Sequence, residues 1–165
     1  MLCMPVLAGN IESQLPSLAP RAVAWAQKME VDSLRNGAPL SPAVIRLARE
    51  LGVRDVARVR IVVVDRVPLP EDGMLRAAAL QVGLSQETAS GMTLGYAIYA
   101  RRGEENDVRL LSHELRHVAQ YEAAGGIAAF LSKHLVDLAR VGYEASPFEV
   151  DARAHERASL PDPAT

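Results

Sequence analysis

The stretch "RLLSHELRHVAQYEAAGG" (109–126) holds two of the four histidines of this 165-residue chain. His113 and His117 flank Glu114 in the pattern H-E-x-x-H. Residues four apart on a helix lie about 5–6 Å apart at Cβ. Two imidazoles so spaced can converge on one ion at zinc–nitrogen distances of about 2.0–2.1 Å. Glu114 sits one position round the helix, where it does not ligate but can take a proton from a metal-bound water. The spacing therefore predicts a Zn2+ site with Glu114 as general base. The bland alternative is a helix that happens to carry two surface histidines.

A zinc centre of this kind needs a third protein ligand and one open position. The chain has one cysteine, Cys3, so the ligand must be a histidine or a carboxylate. The segment "SPFEVDARAHE" lays carboxylates along a fresh helix, and Glu149 is the first choice. Ser146 and Glu149 also satisfy the capping box S-x-x-E, in which the glutamate folds back onto the helix's first amide. Asp151, paired with His155 four residues on, is the other candidate ligand.

Several elements must position these groups. "LPSLAPRAVAWAQKMEVDSLRNG" repeats Leu18, Ala22, Trp25, Ala26 and Met29 at helical spacing. "SPAVIRLARELG" has Ser41 as N-cap, Pro42 at the first helical position and Gly52 past the end. Both read as scaffold without a catalytic residue. "RVRIVVVDRV" (58–67) is a β-branched run expected to be a buried strand. "GMLRAAALQVG" suggests a short helix. "MTLGYAIYAR" (92–101) alternates Leu94, Tyr96 and Ile98 against Thr93, Ala97 and Tyr99, which predicts one strand with one buried face. The period then turns helical from Asn106 or Asp107 to Ala124, with Leu110, Leu111, Leu115 and Val118 inward and Arg109, Ser112 and Arg116 outward. Gly142 should stop the next helix, which turns Phe130, Leu131, Leu135 and Leu138 inward. A last helix is expected to run from Ser146 to about residue 159. The order predicts an α+β fold, mostly helical, with a small sheet whose edge strand lies beside the H-E-x-x-H helix. Residues 1–160 read as one domain, with a helical scaffold over 1–57, a metal-site core over 58–160 and a frayed tail over 161–165.

"LLSHELRHVAQY", preceded by "TLGYAIYAR" and followed by "SPFEVDARA", resembles the gluzincin class of zinc metallopeptidases. It is similar more narrowly to the short bacterial H-E-x-x-H domain of extracellular contractile injection system core proteins and to minimal gluzincins. The resemblance covers about residues 92–157 and leaves the first ninety unassigned. It implies a zincin-like domain, His113, His117 and Glu149 as metal ligands, Glu114 as general base, and a peptide or protein substrate. "EVDAR" departs from the family's E-x-E-A-D-like signature at two points. Asp151 stands where many members have glutamate, and Arg153 where they have an aspartate that orients a ligating histidine.

Composition bounds the alternatives. Hydrophobic residues make up 49% and charged residues 23%, enough for a core. A net charge of −2 and 4% aromatic residues argue against nucleic acid as a partner. The opening "MLCMPVLAGN" lacks a basic start and contains Pro5, so no signal peptide is read and a cytoplasmic location is expected. No run suggests a membrane span. The leading function is peptide-bond hydrolysis, to which Tyr96, Tyr99, Tyr121, Tyr143 or His155 would add stabilisation of the developing oxyanion. The alternative is a zinc-binding structural or interaction module that cleaves nothing, favoured by Arg153 in place of the aspartate and by the expected lack of an export signal. A third reading is an accidental motif in a helical adaptor.

Overall fold

In a computed structural model of the chain, residues 8–163 are described, with side chains from residue 11. Cys3 and most of the opening apolar segment lie outside them, as do the last two residues of the tail. The first helix, α1 (Ala8–Asn36), starts earlier than its sequence pattern suggests. Ile11 extends the buried stripe of Leu18, Ala22 and Ala26 by two turns. Pro16 and Pro20 fall on the exposed face, where this burial carries the helix past the amide bonds they cannot make.

α2 (Pro42–Glu50) begins as its residues dictate: Ser41 Oγ accepts the Val44 amide, and Leu47 and Ala48 are fully buried. A short 3-10 turn (Val56–Arg58) leads into β2 (Arg60–Val64), which pairs with the two-residue β1 (Ala38–Pro39) on one side. α3 (Gly73–Gln81) is capped by the Asp72 carboxylate.

The segment 92–101 is not one strand. It is a hairpin of β3 (Gly91–Leu94) and β4 (Ala97–Arg101) around Gly95-Tyr96, with Leu94 opposite Ala97. Gly95 has φ of 64°, which only glycine adopts without strain. The reversal breaks the expected alternation. Leu94 joins Ala97 and Tyr99 on one face, while Thr93 sits opposite Ile98 on the other. β4 is buried on both faces rather than one.

The sheet order is β1-β2-β4-β3, with β2 and β4 parallel and the other pairs antiparallel, so β3 is an edge. One face packs Val62, Leu94, Ala97 and Tyr99 against α1, α3 and α5 (Ile127–Ala145). The other packs Ile98 against α2 and α4 (Val108–Ala124). The fold is α+β, with six α-helices and a four-stranded mixed sheet among the described residues. No described helix is long and apolar enough to cross a membrane.

α4 is capped by Asp107, whose carboxylate accepts the Leu110 amide at 2.9 Å, and it ends at Gly125. Leu111, Leu115 and Val118 fix its inner face. Truncating residues so buried typically costs about 2–5 kcal/mol. Ser112, expected to face water, is fully buried: its hydroxyl donates to Arg109 O and accepts the Arg157 amide at 2.8 Å. Gly142 interrupts α5 with φ of 76°. The last helix, α6 (Pro147–Ala154), stops five residues short of the expected end at 159. Its continuation is given up because Glu156 and Arg157 turn back to bind α4.

Candidate metal centre

α4 supplies His113, Glu114 and His117 from consecutive turns of one face, and α6 crosses it with Glu149. Glu149 Oε1 lies 3.1 Å from His117 Nε2, and Oε2 lies 3.2 Å from His113 Nε2. The two Nε2 atoms are themselves 3.2 Å apart. The two imidazole nitrogens and the Glu149 carboxylate thus close into one cluster, each histidine facing its own carboxylate oxygen, and these residues could hold one metal ion. Tetrahedral coordination at about 2.0–2.1 Å places ligand atoms about 3.3 Å apart, close to the 3.2 Å between the two nitrogens, and two imidazoles with a carboxylate are a donor set that fits zinc.

The proton arithmetic supports the same fit. Both rings can give an Nε2 proton to Glu149, but the short contact between the two nitrogens then joins two donors. A single dication in place of those protons satisfies all three contacts at once. Glu149 is nearly inaccessible. Burial opposes its charge, yet hydrogen bonds and charge from His113 and His117 hold its carboxyl far below the ordinary carboxylate range. Burial likewise opposes charge on His117. The Glu149 carboxylate, with Glu114 and Gln120, outweighs it and pushes that imidazole up to about 9. Burial and the neighbouring His117 oppose charge on His113 too, but Glu149 and Glu114 outweigh them and raise it.

Each histidine is held from behind. Gln120 uses its amide nitrogen to donate to Phe148 O at 3.0 Å and to Asp151 Oδ2 at 2.7 Å. Its oxygen is therefore left to accept from His117 Nδ1 at 2.7 Å. That bond puts a proton on Nδ1 and turns Nε2 toward the site. The His113 Nδ1 faces Glu156 Oε1 at 3.1 Å and is fixed in the same sense. Glu156 is also paired with Arg109.

The alternatives for the third ligand separate cleanly. The Asp151 carboxylate is taken by Arg116, at 2.7 and 3.2 Å, and by Gln120. His155 donates to the Asp151 backbone oxygen at 2.7 Å. Glu149 does not close a capping box, since the Ser146 amide donates to Tyr143 O instead. The Ser146 hydroxyl, which makes no cap bond, meets His134 Nδ1 at 3.3 Å. His134 lies among Phe130 and Phe148, and burial, aided by the charge on His117, lowers it to about 4.

Glu114 stands beside the cluster, buried, with Oε2 accepting the Thr93 hydroxyl at 2.6 Å. The edge strand passes so close that a Cβ on Gly91 would lie 2.9 Å from Glu114 Oε1 and 2.9 Å from Leu110 Cδ1. Glycine there leaves room for the carboxylate. The tyrosines also sort by partner. Tyr96 bonds Glu122, Tyr99 bonds Met29 O, and Tyr121 bonds Thr93 O. Tyr143 lines the same cavity as Glu149 and Glu114. Burial first, and then the charges of Glu149 and Glu114, raise its phenol well above its ordinary value.

Sequence reading did not single out Gln120, Glu156 or Thr93. Gln120 carried a usable signal, being three residues from His117 on the same helix face. Glu156 and Thr93 reach the site through chain reversals that periodicity does not register. No family model, curated protein or solved structure matches this chain, so the reading of the site rests on its own residues.

Proposed function

We propose that the protein is a zinc-dependent peptidase of the gluzincin type, with His113, His117 and Glu149 as ligands. The observation that carries this reading is a pair of Nε2 atoms 3.2 Å apart, each within 3.1–3.2 Å of its own oxygen of the Glu149 carboxylate, beside a buried glutamate that is not part of the cluster. A zinc ion held by His113, His117 and Glu149 would supply Lewis acidity toward a scissile carbonyl and lower the pKa of a bound water. Glu114 accepts that water's proton on the oxygen left free by Thr93 and delivers it to the leaving amine. Thr93 fixes the other oxygen, so the base is held in one orientation. Tyr143 offers its phenolic proton to the oxyanion that develops on the carbonyl. Gln120 and Glu156 keep both histidines turned toward the site.

Arg153 is one of the two features that favour a non-catalytic module. It is bonded to the Glu144 backbone oxygen, and the carboxylate behind His113 comes from Glu156 instead. The orienting function is met from a different position, which supports a working site.

The test is Glu114→Gln. Zinc content stays at the wild-type level, while hydrolysis of a mixed peptide pool falls by about 10²–10⁴-fold, the usual worth of a general base. A variant that hydrolyses as fast as wild type rules out the assigned base. A zinc-loaded wild type without hydrolysis returns the site to the structural-module reading.

A further inference from the structure

The metal cluster opens into a cavity of about 620 Å³ that runs between α1, α3, α5 and β3. Its polar end holds the cluster and Glu114; its depth is lined by Leu18, Trp25, Leu75, Phe130, Leu131 and Leu135. Cavities of about 300–1,000 Å³ are the size that takes drug-sized ligands, so this one exceeds a single side chain. A filled interior packs at crystal-like density, and an apolar hollow forfeits those contacts. Two of the elements that build it, α1 and α3, precede the segment that carries the metallopeptidase pattern. They contribute no ligand to the cluster, and what they add to the site is this wall.

We infer that the chamber is a specificity site that receives bulky apolar side chains of an extended peptide, on residues near the bond at the metal centre. The inference rests on the peptidase reading and adds the substrate class. Two observations choose a peptide over an acyl chain. First, residues Ser90–Leu94 border the chamber, and β3 is the outer strand of the sheet. An extended chain alongside a sheet edge turns every second side chain the same way, which fits a chamber larger than one residue. Second, Glu104, Asp107, Glu144 and Glu156 stand among the lining residues with a single arginine, Arg109, and since Glu104 pairs with Arg101, Glu144 with Arg153 and Glu156 with Arg109, the lining offers no unpaired guanidinium. Away from the metal, the lining therefore has no cation left to pair with the anionic head of a fatty acid, whereas a neutral peptide backbone needs no counter-charge.

Trp25 is the only tryptophan in the chain and it lines the chamber, so its emission reports occupancy without any hydrolysis. The experiment uses zinc-loaded Glu114→Gln protein and terminally blocked peptides of one sequence frame, carrying Phe, Leu, Ala or Lys at one central position. Laurate is the acyl probe. The expected result is a shift of Trp25 emission with the Phe and Leu peptides, which bind about tenfold tighter or better than the Ala peptide. The Lys peptide binds no better than the Ala peptide. In wild type, kcat/KM follows the same order. The Ala79→Phe substitution fills the chamber from α3 and removes the preference.

Equal binding of the Phe and Ala peptides overturns the inference, as does a Trp25 response to laurate but not to the peptides. The two readings fail separately. Peptide hydrolysis without side-chain preference leaves the peptidase and removes the chamber's role. Selective binding by a protein that hydrolyses nothing leaves the chamber as a peptide-binding site and removes the peptidase. Should Ala79→Phe fail to fold, the comparison of peptides in Glu114→Gln decides alone.

Discussion

Thr93 determines which oxygen of Glu114 is free. Its hydroxyl occupies Oε2 at 2.6 Å and leaves Oε1 beside Gly91. Hydrogen bonds to charged groups are worth about 1.5–3 kcal/mol, and about 1.4 kcal/mol is a factor of ten. Thr93→Val, equal in shape but without the hydroxyl, is expected to lower kcat about tenfold with KM and zinc content unchanged. Thr93→Ser restores most of the rate; steady-state kinetics of the pair checks this, and a Val variant with unchanged kcat removes Thr93 from the account. The metal-free protein also makes a prediction about pH. His117 is raised from its ordinary value to about 9, so its imidazolium stabilises the metal-free fold fully below about 6.5, the unfolded value, and that contribution is lost as pH rises through about 9. Zinc has to displace that proton. Titration calorimetry in buffers of different ionisation enthalpy is expected to show proton release on zinc uptake between pH 6 and 9, with affinity rising across the range. Affinity that stays flat over those pH values contradicts the assigned ligand.

At the scale of elements, α4 was nearly complete in the sequence. Its Asp107 cap, its Gly125 stop and the apolar stripe at 111, 115 and 118 are local signals, and the residues brought to one face are those that the 3.6-residue period puts there. Ser112 was misplaced because its burial comes from residues 45 positions away, where Arg157 donates to its hydroxyl. The hairpin at 91–101 was illegible for a related reason. Its strands follow one another across only Gly95 and Tyr96, so an alternating pattern runs on through a reversal. That reversal is what sets β3 against Glu114. Gly91→Ala is expected to push the Glu114 carboxylate or Leu110 aside, since the new methyl would stand 2.9 Å from each. The expected outcome is a loss of about 1 kcal/mol in stability or less, read from thermal or denaturant unfolding, with activity down tenfold or more. Full activity in this variant means the edge strand does not hold the base.

Over the whole molecule, the H-E-x-x-H pattern fixed two ligands of the cluster and left the third open between Glu149 and Asp151. What separates them is tertiary. α6 crosses α4 so that Asp151 meets Arg116 and Gln120 while Glu149 meets both histidines. Neither a capping box nor an i, i+4 pair encodes that crossing. The chamber was equally hidden, because it is a space between helices whose apolar stripes each read as ordinary core. The central claim is that three residues from two helices hold one zinc ion, and it is tested most directly by metal analysis of purified protein. The account predicts one zinc per chain in wild type and in Asp151→Asn, and little or none in a folded Glu149→Gln, where a neutral amide replaces the anionic donor. Full zinc in Glu149→Gln together with its loss in Asp151→Asn would contradict the account.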